Sequence, residues 1–466
     1  MSKLYIFGIG GTGARVLRSF TMMMAAGVKI GVDEIVPIII DPDAANADLT
    51  RAVTLMNNYR NIRKYLSFTQ ESKNTFFRKE ISQKLINYTL RIKDTGDKSF
   101  QNFIELPSMS RANQAICRML FSDKNLTSQM DVGFKGNPNI GSIVLNQIID
   151  SEDFISFANS FEQGDKIFII SSIFGGTGAS GFPLLLKTLR TGNRFPNNVI
   201  INESEIGAIT ILPYFKLEAD DESEIDSSTF ISKTKSALSY YESNISRNGQ
   251  INAMYYLADD VTNTYENHEG GTSQQNDAHL IEFLAASAIV DFSNKEHFNT
   301  IHKELGIKDT EGSVSFNSFH DELKRWLRLP LTQFVLMTNC FKNQYDYVTS
   351  TRLQANNKAN FVEHGLYDSQ YFTSLKKFAE NYNDWLKEMK NNKRSLDLFN
   401  LDSGNTPFNV VTDVKPKKVA SFLSNYDLIY DRLNDAVKHC SGDDNNKLLE
   451  MYAIATERLS KEKFNF

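Results

Sequence analysis

Twice in this chain an apolar run of strand length breaks into glycines and then into a helical pattern. Residues 3–7 lead into Gly8-Ile9-Gly10-Gly11-Thr12-Gly13, and residues 166–171 lead into Phe174-Gly175-Gly176-Thr177-Gly178-Ala179-Ser180-Gly181. Glycines there let a backbone approach a phosphate closely, and the free N–H groups and positive end of the following helix favour negative charge. The first loop also reads G-x-G-x-x-G, and Asp41 ends the next apolar run, where the ribose-binding acid of a dinucleotide fold stands. An NAD-dependent oxidoreductase is therefore one reading, but it needs one such loop and leaves the second unexplained. The second loop lacks the lysine of a P-loop. Two donor-rich loops can instead hold different phosphates of one triphosphate.

The surrounding pattern predicts an α/β domain with a mostly parallel sheet. Residues 3–7, 35–40, 166–171, 206–212 and 251–257 read as strands; 14–26, 181–190 and 230–244 read as helices. Residues 59–125 read as mostly helical, and the polar stretches 217–226 and 262–276 as loops. From Asp277 a 3.6-residue period through Leu280, Phe283, Leu284 and Ala288 predicts a buried connecting helix. Beyond Pro330, residues 334–337 read as a strand and 371–391, 418–438 and 445–462 as helices. The expected divisions are 1–275 for the nucleotide-binding domain, 276–304 for a long central helix and 305–466 for a helix-rich C-terminal region.

Charge narrows the function classes. The 466 residues carry 51 Lys+Arg against 56 Asp+Glu, a net charge of -5, with no dense basic block, so a nucleic-acid surface is not expected. No apolar run reaches the roughly 18 residues of a membrane span, and the start reads as a strand rather than a signal peptide, which points to the cytoplasm. Cys117, Cys340 and Cys440 are far apart without a C-x-x-C pair, and His297 and His302 fall on different helical faces. No protein-built metal site is expected from these residues.

A third glycine loop, Gly133-Phe134-Lys135-Gly136-Asn137-Pro138-Asn139-Ile140-Gly141, precedes a helix expected near Ser142. In this order the loops resemble those of the tubulin/FtsZ superfamily, and the chain is most similar to its divergent bacterial tubulin-like members. GIGGTGAR resembles the family's first loop, DPDAANAD its acidic loop, GFKGNPNIG its third loop and FGGTGASGFP its signature loop. GAITILPYFKLE resembles the strand that follows. The resemblance covers about residues 3–330.

The resemblance implies bound GTP or GDP with Mg²⁺. The cofactor-binding residues it points to are Gly8, Gly10, Gly11, Thr12, Gly13, Arg15, Asp41, Asp43, Gly136, Asn137, Gly175, Gly176, Thr177, Gly178, Ala179, Ser180, Asn276 and Asp277. Arg15 stands where FtsZ carries a base-contacting Asn, a departure from the family pattern. Asn276 and Asp277 can pair with the guanine edge, or serve as helix cap and first-turn acid. Asp41 or Asp43 can help Mg²⁺ neutralise phosphate charge, or both can cap the 43–53 segment, and Lys135 can touch a phosphate or face solvent.

The family's hydrolytic acid lies in an N-x-D-x-x-[DE] loop that acts on the neighbouring subunit's nucleotide. Here Asn317-Ser318-Phe319-His320-Asp321-Glu322 keeps Asn317 and Glu322 but has Phe319 at the central Asp position, so Glu322, helped by Asp321, is the candidate acid. The resemblance implies head-to-tail self-association into filaments, with hydrolysis completed in trans. The rival reading is a non-hydrolysing nucleotide-sensing switch or scaffold that engages a protein partner through the C-terminal region.

Overall fold

The computed structural model describes the chain except residues 1, 44, 94, 97, 131–133, 135–136, 218–229, 247, 261–263, 266–275, 299–302, 309–311, 358–364, 405 and 420–423. The N-terminal elements are β1 (Lys3–Ile9), α1 (Gly10–Ala25), β2 (Glu34–Ile40), α2 (Ala47–Arg63) and the short β3 (Glu80–Ile81). Short helices follow: α3 (Phe100–Phe103), α4 (Arg111–Leu120), α5 (Asp123–Thr127), α6 (Pro138–Leu145) and α7 (Glu152–Ser160). Next come β4 (Lys166–Ser172), α8 (Gly176–Thr191), α9 (Asn198–Glu203), β5 (Glu205–Ile211), β6 (Lys216–Leu217), α10 (Phe230–Tyr241), β7 (Ala253–Leu257) and β8 (Thr264–Tyr265). The remainder is helical: α11 (Leu280–Asn294), α12 (Asp321–Asn343), α13 (Tyr345–Val348), α14 (Gln370–Asn391), α15 (Asn425–Ala436) and α16 (Asp444–Phe464).

Six strands form one sheet in the order β3-β2-β1-β4-β5-β7, with every pairing parallel. β1, β2, β4 and β5 are each buried at every position but the first, as expected of strands covered on both faces. β6 and β8 make a separate two-stranded pair at the edges of the two polar stretches read as loops.

α1 and α11 lie side by side and run in the same direction. Arg15 meets Glu282 near their starts, and a Cβ at Gly31, just past α1, would come within 2.1 Å of the Ser293 carbonyl near the end of α11. α11 is buried over residues 280–293, shorter than the expected 276–304, and begins at a capping box in which His279 accepts from the backbone and Glu282 reaches back.

Two expectations are overturned. Residues 334–337 are not a strand but the middle of α12, which runs on through Pro330. They are buried on all sides, Phe334 lying against Phe76 and Tyr382, and an apolar run buried all round has no periodicity to separate helix from strand. Residues 59–125 are only partly helical, because Phe77, Asn87, Tyr88 and Glu105 take left-handed backbone angles that no helix accommodates.

The C-terminal helices cover α1, α2 and α11. Trp385 of α14, fully buried, stacks on Phe283 of α11 with ring centroids 6.1 Å apart and donates its indole N–H to Ser19 of α1 at 3.3 Å. Trp385→Ala should therefore loosen three helices at once and lower unfolding free energy by about 3–5 kcal/mol, measured by urea denaturation.

Candidate functional site

β1 and β4 are neighbours, and the chain leaves them in opposite directions. β1 continues through α1 to β2 on one side; β4 continues through α8 and α9 to β5 on the other. The gap beyond their carboxyl ends is therefore the topological switch point, where open α/β sheets take their ligands. Both glycine loops end there. Gly10 has φ +70, and a Cβ on it would sit 3.5 Å from the Thr177 Cβ, so the first loop and the signature loop face each other.

The buried glycines are used to bring helices onto strands. A Cβ at Gly13 would lie 2.3 Å from the Gly8 carbonyl carbon, and one at Gly178 would lie 2.6 Å from the Ser172 carbonyl oxygen. These contacts press the first turns of α1 and α8 against the strand ends. Gly8, Gly10, Gly13, Gly176 and Gly178 are buried, while Gly11, Thr12, Gly175, Thr177 and Ala179 are partly exposed. The hydroxyl of Ser180 donates back to the carbonyls of Gly176 and Thr177, at 2.7 and 3.1 Å.

Neither α1 nor α8 has a side-chain cap or an acid in its first turn. By contrast, Asn46 caps α2, Ser151 caps α7, Ser369 caps α14 and Asp443 caps α16. The first-turn N–H groups of α1 and α8, which have no intrahelical acceptor, point their partial positive charge at the switch point. α6 joins them. A Cβ at Gly141 would lie 2.2 Å from the Ser180 hydroxyl, so the helix of the third loop packs on the signature helix. Asn137, half-buried, is its N-cap residue; Gly133, Lys135 and Gly136 lie outside the described residues.

At the end of β2, Asp41 and Asp43 are both buried. They do not cap α2, as one reading of the sequence had it; Asn46 does, accepting from Asp48 and Leu49. Asp41 accepts the Asp43 N–H at 3.1 Å and Asp43 accepts the Ala45 N–H at 3.1 Å. Burial pushes the Asp41 carboxyl up to about 7 despite that hydrogen bond, with Asp43 and Asp48 adding repulsion. Among the described residues no cation is bonded to the Asp41 carboxyl, and no group of three His, Cys, Asp or Glu side chains is arranged to hold a metal ion without other ligands.

Arg15 is committed elsewhere. Its guanidinium bonds Asp48 at 2.9 Å and Glu282 at 2.5 Å, and the phenol of Tyr214, pushed up to about 12 by burial, lies beside it. Asp48 also accepts both the backbone and the side-chain N–H groups of Asn276, at 3.0 and 2.8 Å. Asn276 is thus oriented by Asp48 rather than acting as a helix cap, which is His279, and Asp277 is exposed. A second cluster continues the first: Glu388 of α14 takes Arg18 at 2.7 Å, Arg51, and the N–H of Ala278 at 2.9 Å. Glu388 carries no motif in the sequence; Asp48 and Tyr214 fall inside the DPDAANAD and GAITILPYFKLE segments without being singled out there, and Glu282, three residues beyond His279, is a capping signal.

The segment with the candidate hydrolytic acids packs near the start of α11. Phe319 stacks on Phe283, in the N-terminal half of α11, at 5.8 Å, and Val314 pairs with Leu396 just beyond α14. Asn317 is held by Asp413, whose carboxylate accepts its N–H at 2.7 Å. Glu322 is paired with Lys303, and Asp321 lies 3.6 Å from Lys308.

No protein-family model and no curated protein matches the chain. Among solved structures it is similar to CetZ from Methanosaeta thermophila, at 15% identity and TM-score 0.33 over 64% of this chain and 57% of that one. It is also similar to Haloferax volcanii CetZ2, a GTPgS-bound protofilament, at 14% identity and TM-score 0.30 over 63% and 58%. Haloferax volcanii CetZ1, a GDP-bound monomer, is similar at 15% identity and TM-score 0.29 over 55% and 51%. The chain thus spans little more than half the length of these proteins.

The buried Asp41 makes stability depend on pH. Its pKa, near 7 when folded, stands above the unfolded value, so the folded state binds the extra proton and stability is lost as pH rises through 7. His279, lowered to about 3 by burial and by Arg15, acts in the opposite sense only below its unfolded value near 6.5. Without ligand, the Asp41 contribution to stability measured by urea denaturation should therefore fall between about pH 4 and 7 and level off above, and Asp41→Asn should remove that fall.

Proposed function

We propose that the chain binds a guanine nucleotide, GTP or GDP, across the switch point between β1 and β4, as a tubulin/FtsZ-like protein would. The observation that carries this reading is the pair of uncapped glycine-loop helices, α1 and α8, converging with Gly10 facing Thr177. Two aligned helix starts offer separate sets of backbone donors, which suits a di- or triphosphate better than a single phosphate. Asp41 and Asp43 would hold Mg²⁺ at the end of β2. Asn276, oriented by Asp48, would meet the base, while Arg15 stays behind the loop as a structural tie.

The loop pair supports GTP over NAD because a dinucleotide fold uses one glycine loop, not two. Calorimetry with GTP, ATP and NAD, each with Mg²⁺, should give tightest binding for GTP; tighter NAD binding would sink the reading. Thr177 is partly exposed and faces Gly10, so Thr177→Tyr should fill the space between the loops. Affinity should fall at least about 100-fold with the melting temperature unchanged.

Hydrolysis and assembly form the finer part of the proposal. In the hydrolytic version, copies associate head to tail and Glu322, released from Lys303, orients a water at the γ-phosphate of the next copy. The switch version, in which nucleotide occupancy is read by a protein partner at the C-terminal helices, is favoured by two observations. Glu322 is already paired with Lys303, and Phe319 sits against the N-terminal half of α11, at the same end as the glycine loops rather than the far end of the molecule. Phosphate release by Glu322→Ala, compared with Asp321→Ala across a range of protein concentrations, separates the two. A trans hydrolase should lose about 10²- to 10⁴-fold in rate with Glu322→Ala while still binding nucleotide; a switch should show no turnover to lose.

A further inference from the structure

The first two turns of α12 carry their charges on one stripe. Asp321, Lys324, Arg325 and Arg328 stand at i, i+3, i+4 and i+7, so their side chains share a face. For the helix alone this is unfavourable twice over: like charges three and four residues apart repel, and cations face the positive end of the helix dipole. Together with Leu329 and Phe466 the four residues line an open pocket of about 430 Å³, the size of a small-molecule site. The Arg328 guanidinium carbon lies 3.9 Å from the centre of the Phe466 ring, just beyond α16. That stacking uses a face of the guanidinium and leaves its N–H edge for other partners. Among the described residues, no carboxylate or carbonyl bonds the guanidinium of Arg325 or Arg328. The acids nearby are engaged elsewhere: Asp321 lies 3.6 Å from Lys308, and the Asp413 carboxylate, which attracts Arg328 without bonding it, accepts the Asn317 N–H. Lys324 donates to the Asn317 side chain, and burial together with the Arg328 charge lowers its pKa, as expected of cations crowded around too little negative charge.

We propose that this pocket binds a phosphate monoester of a hydroxylated small molecule, a sugar phosphate or a nucleoside monophosphate. Two guanidinium forks and an ammonium lining one pocket offer more donors than a planar carboxylate accepts, and they match the three oxygens and the charge of a phosphate. Asp321, whose side chain is 92% exposed on the same stripe, accepts a hydroxyl of the ligand. Leu329 and the Phe466 ring give the carbon skeleton an apolar wall. None of these residues belongs to the glycine loops, so the site stands whether or not the crevice between β1 and β4 takes GTP.

The test is calorimetry on the full chain at fixed ionic strength, with ribose 5-phosphate and AMP as probes beside inorganic phosphate and ribose. At least one ester should bind more tightly than inorganic phosphate, and ribose should not bind. Tighter binding of AMP assigns the nucleotide source, and tighter binding of ribose 5-phosphate the sugar phosphate. Arg325→Gln with Arg328→Gln should weaken the ester about tenfold or more, with circular dichroism unchanged. Arg328→Lys, which keeps the charge but not the fork, should lose less than Arg328→Gln. Arg111→Gln with Arg118→Gln, the same charge change at two exposed arginines of α4, should leave the affinity as it was. Absence of binding by either ester at millimolar concentration overturns the proposal. So does inorganic phosphate binding as tightly as the esters, an equal loss from the α4 pair, or capture of a poly-glutamate peptide where neither ester binds. An ester that binds indifferently to the Arg325/Arg328 change sits elsewhere, which overturns this site and leaves the reading of the crevice untouched.

Discussion

The rest of the molecule depends on how closely the first turns of α1 and α8 approach the strands that precede them. Gly13 against Gly8, and Gly178 against Ser172, leave no room for a single added carbon. That contact fixes both helix starts at adjacent strand ends and points them into one crevice. A larger residue at either position would push the helix away and separate the donors the crevice offers. The glycines of such loops are commonly credited with admitting a phosphate; here several of them first admit the chain's own backbone.

Behind the crevice, burying charged groups demands that each find a partner. Arg15, Asp48 and Glu282 answer one another, and Arg18, Arg51 and Glu388 do the same one turn further on. The two clusters tie α1, α2, α11 and α14 together, so the first glycine loop and the C-terminal helices share a common set of buried contacts. A displacement at the start of α1 has a direct route to α14 through Arg18 and Glu388. This linkage gives physical content to a nucleotide-sensing switch.

The segment 314–322 illustrates where a sequence motif and its surroundings part. Its Asn and Glu keep the spacing of a hydrolytic loop, but the position of that loop is set by Phe319 on Phe283 and by Val314 beside Leu396. Those contacts hold it near the start of α11. Motif spacing alone says nothing about which end of a buried helix a loop will reach.

What the sequence determined by itself was the local grammar: apolar runs, glycines directly after them, and helical periods, hence the α/β sheet, its parallel strands and both glycine loops. These are legible because strand burial, turn geometry and helix starts each depend on neighbouring residues. It misread residues 334–337, whose all-round burial erases periodicity, and residues 59–125, where isolated left-handed residues end what looks like helix. The partners of Arg15, the close approach of Gly10 and Thr177, the raised pKa of Asp41 and the meeting of Phe466 with the charged stripe of α12 were decided only by the tertiary structure. Each depends on which distant segments are brought together and which are kept from water, and neither quantity is carried by spacing along the chain.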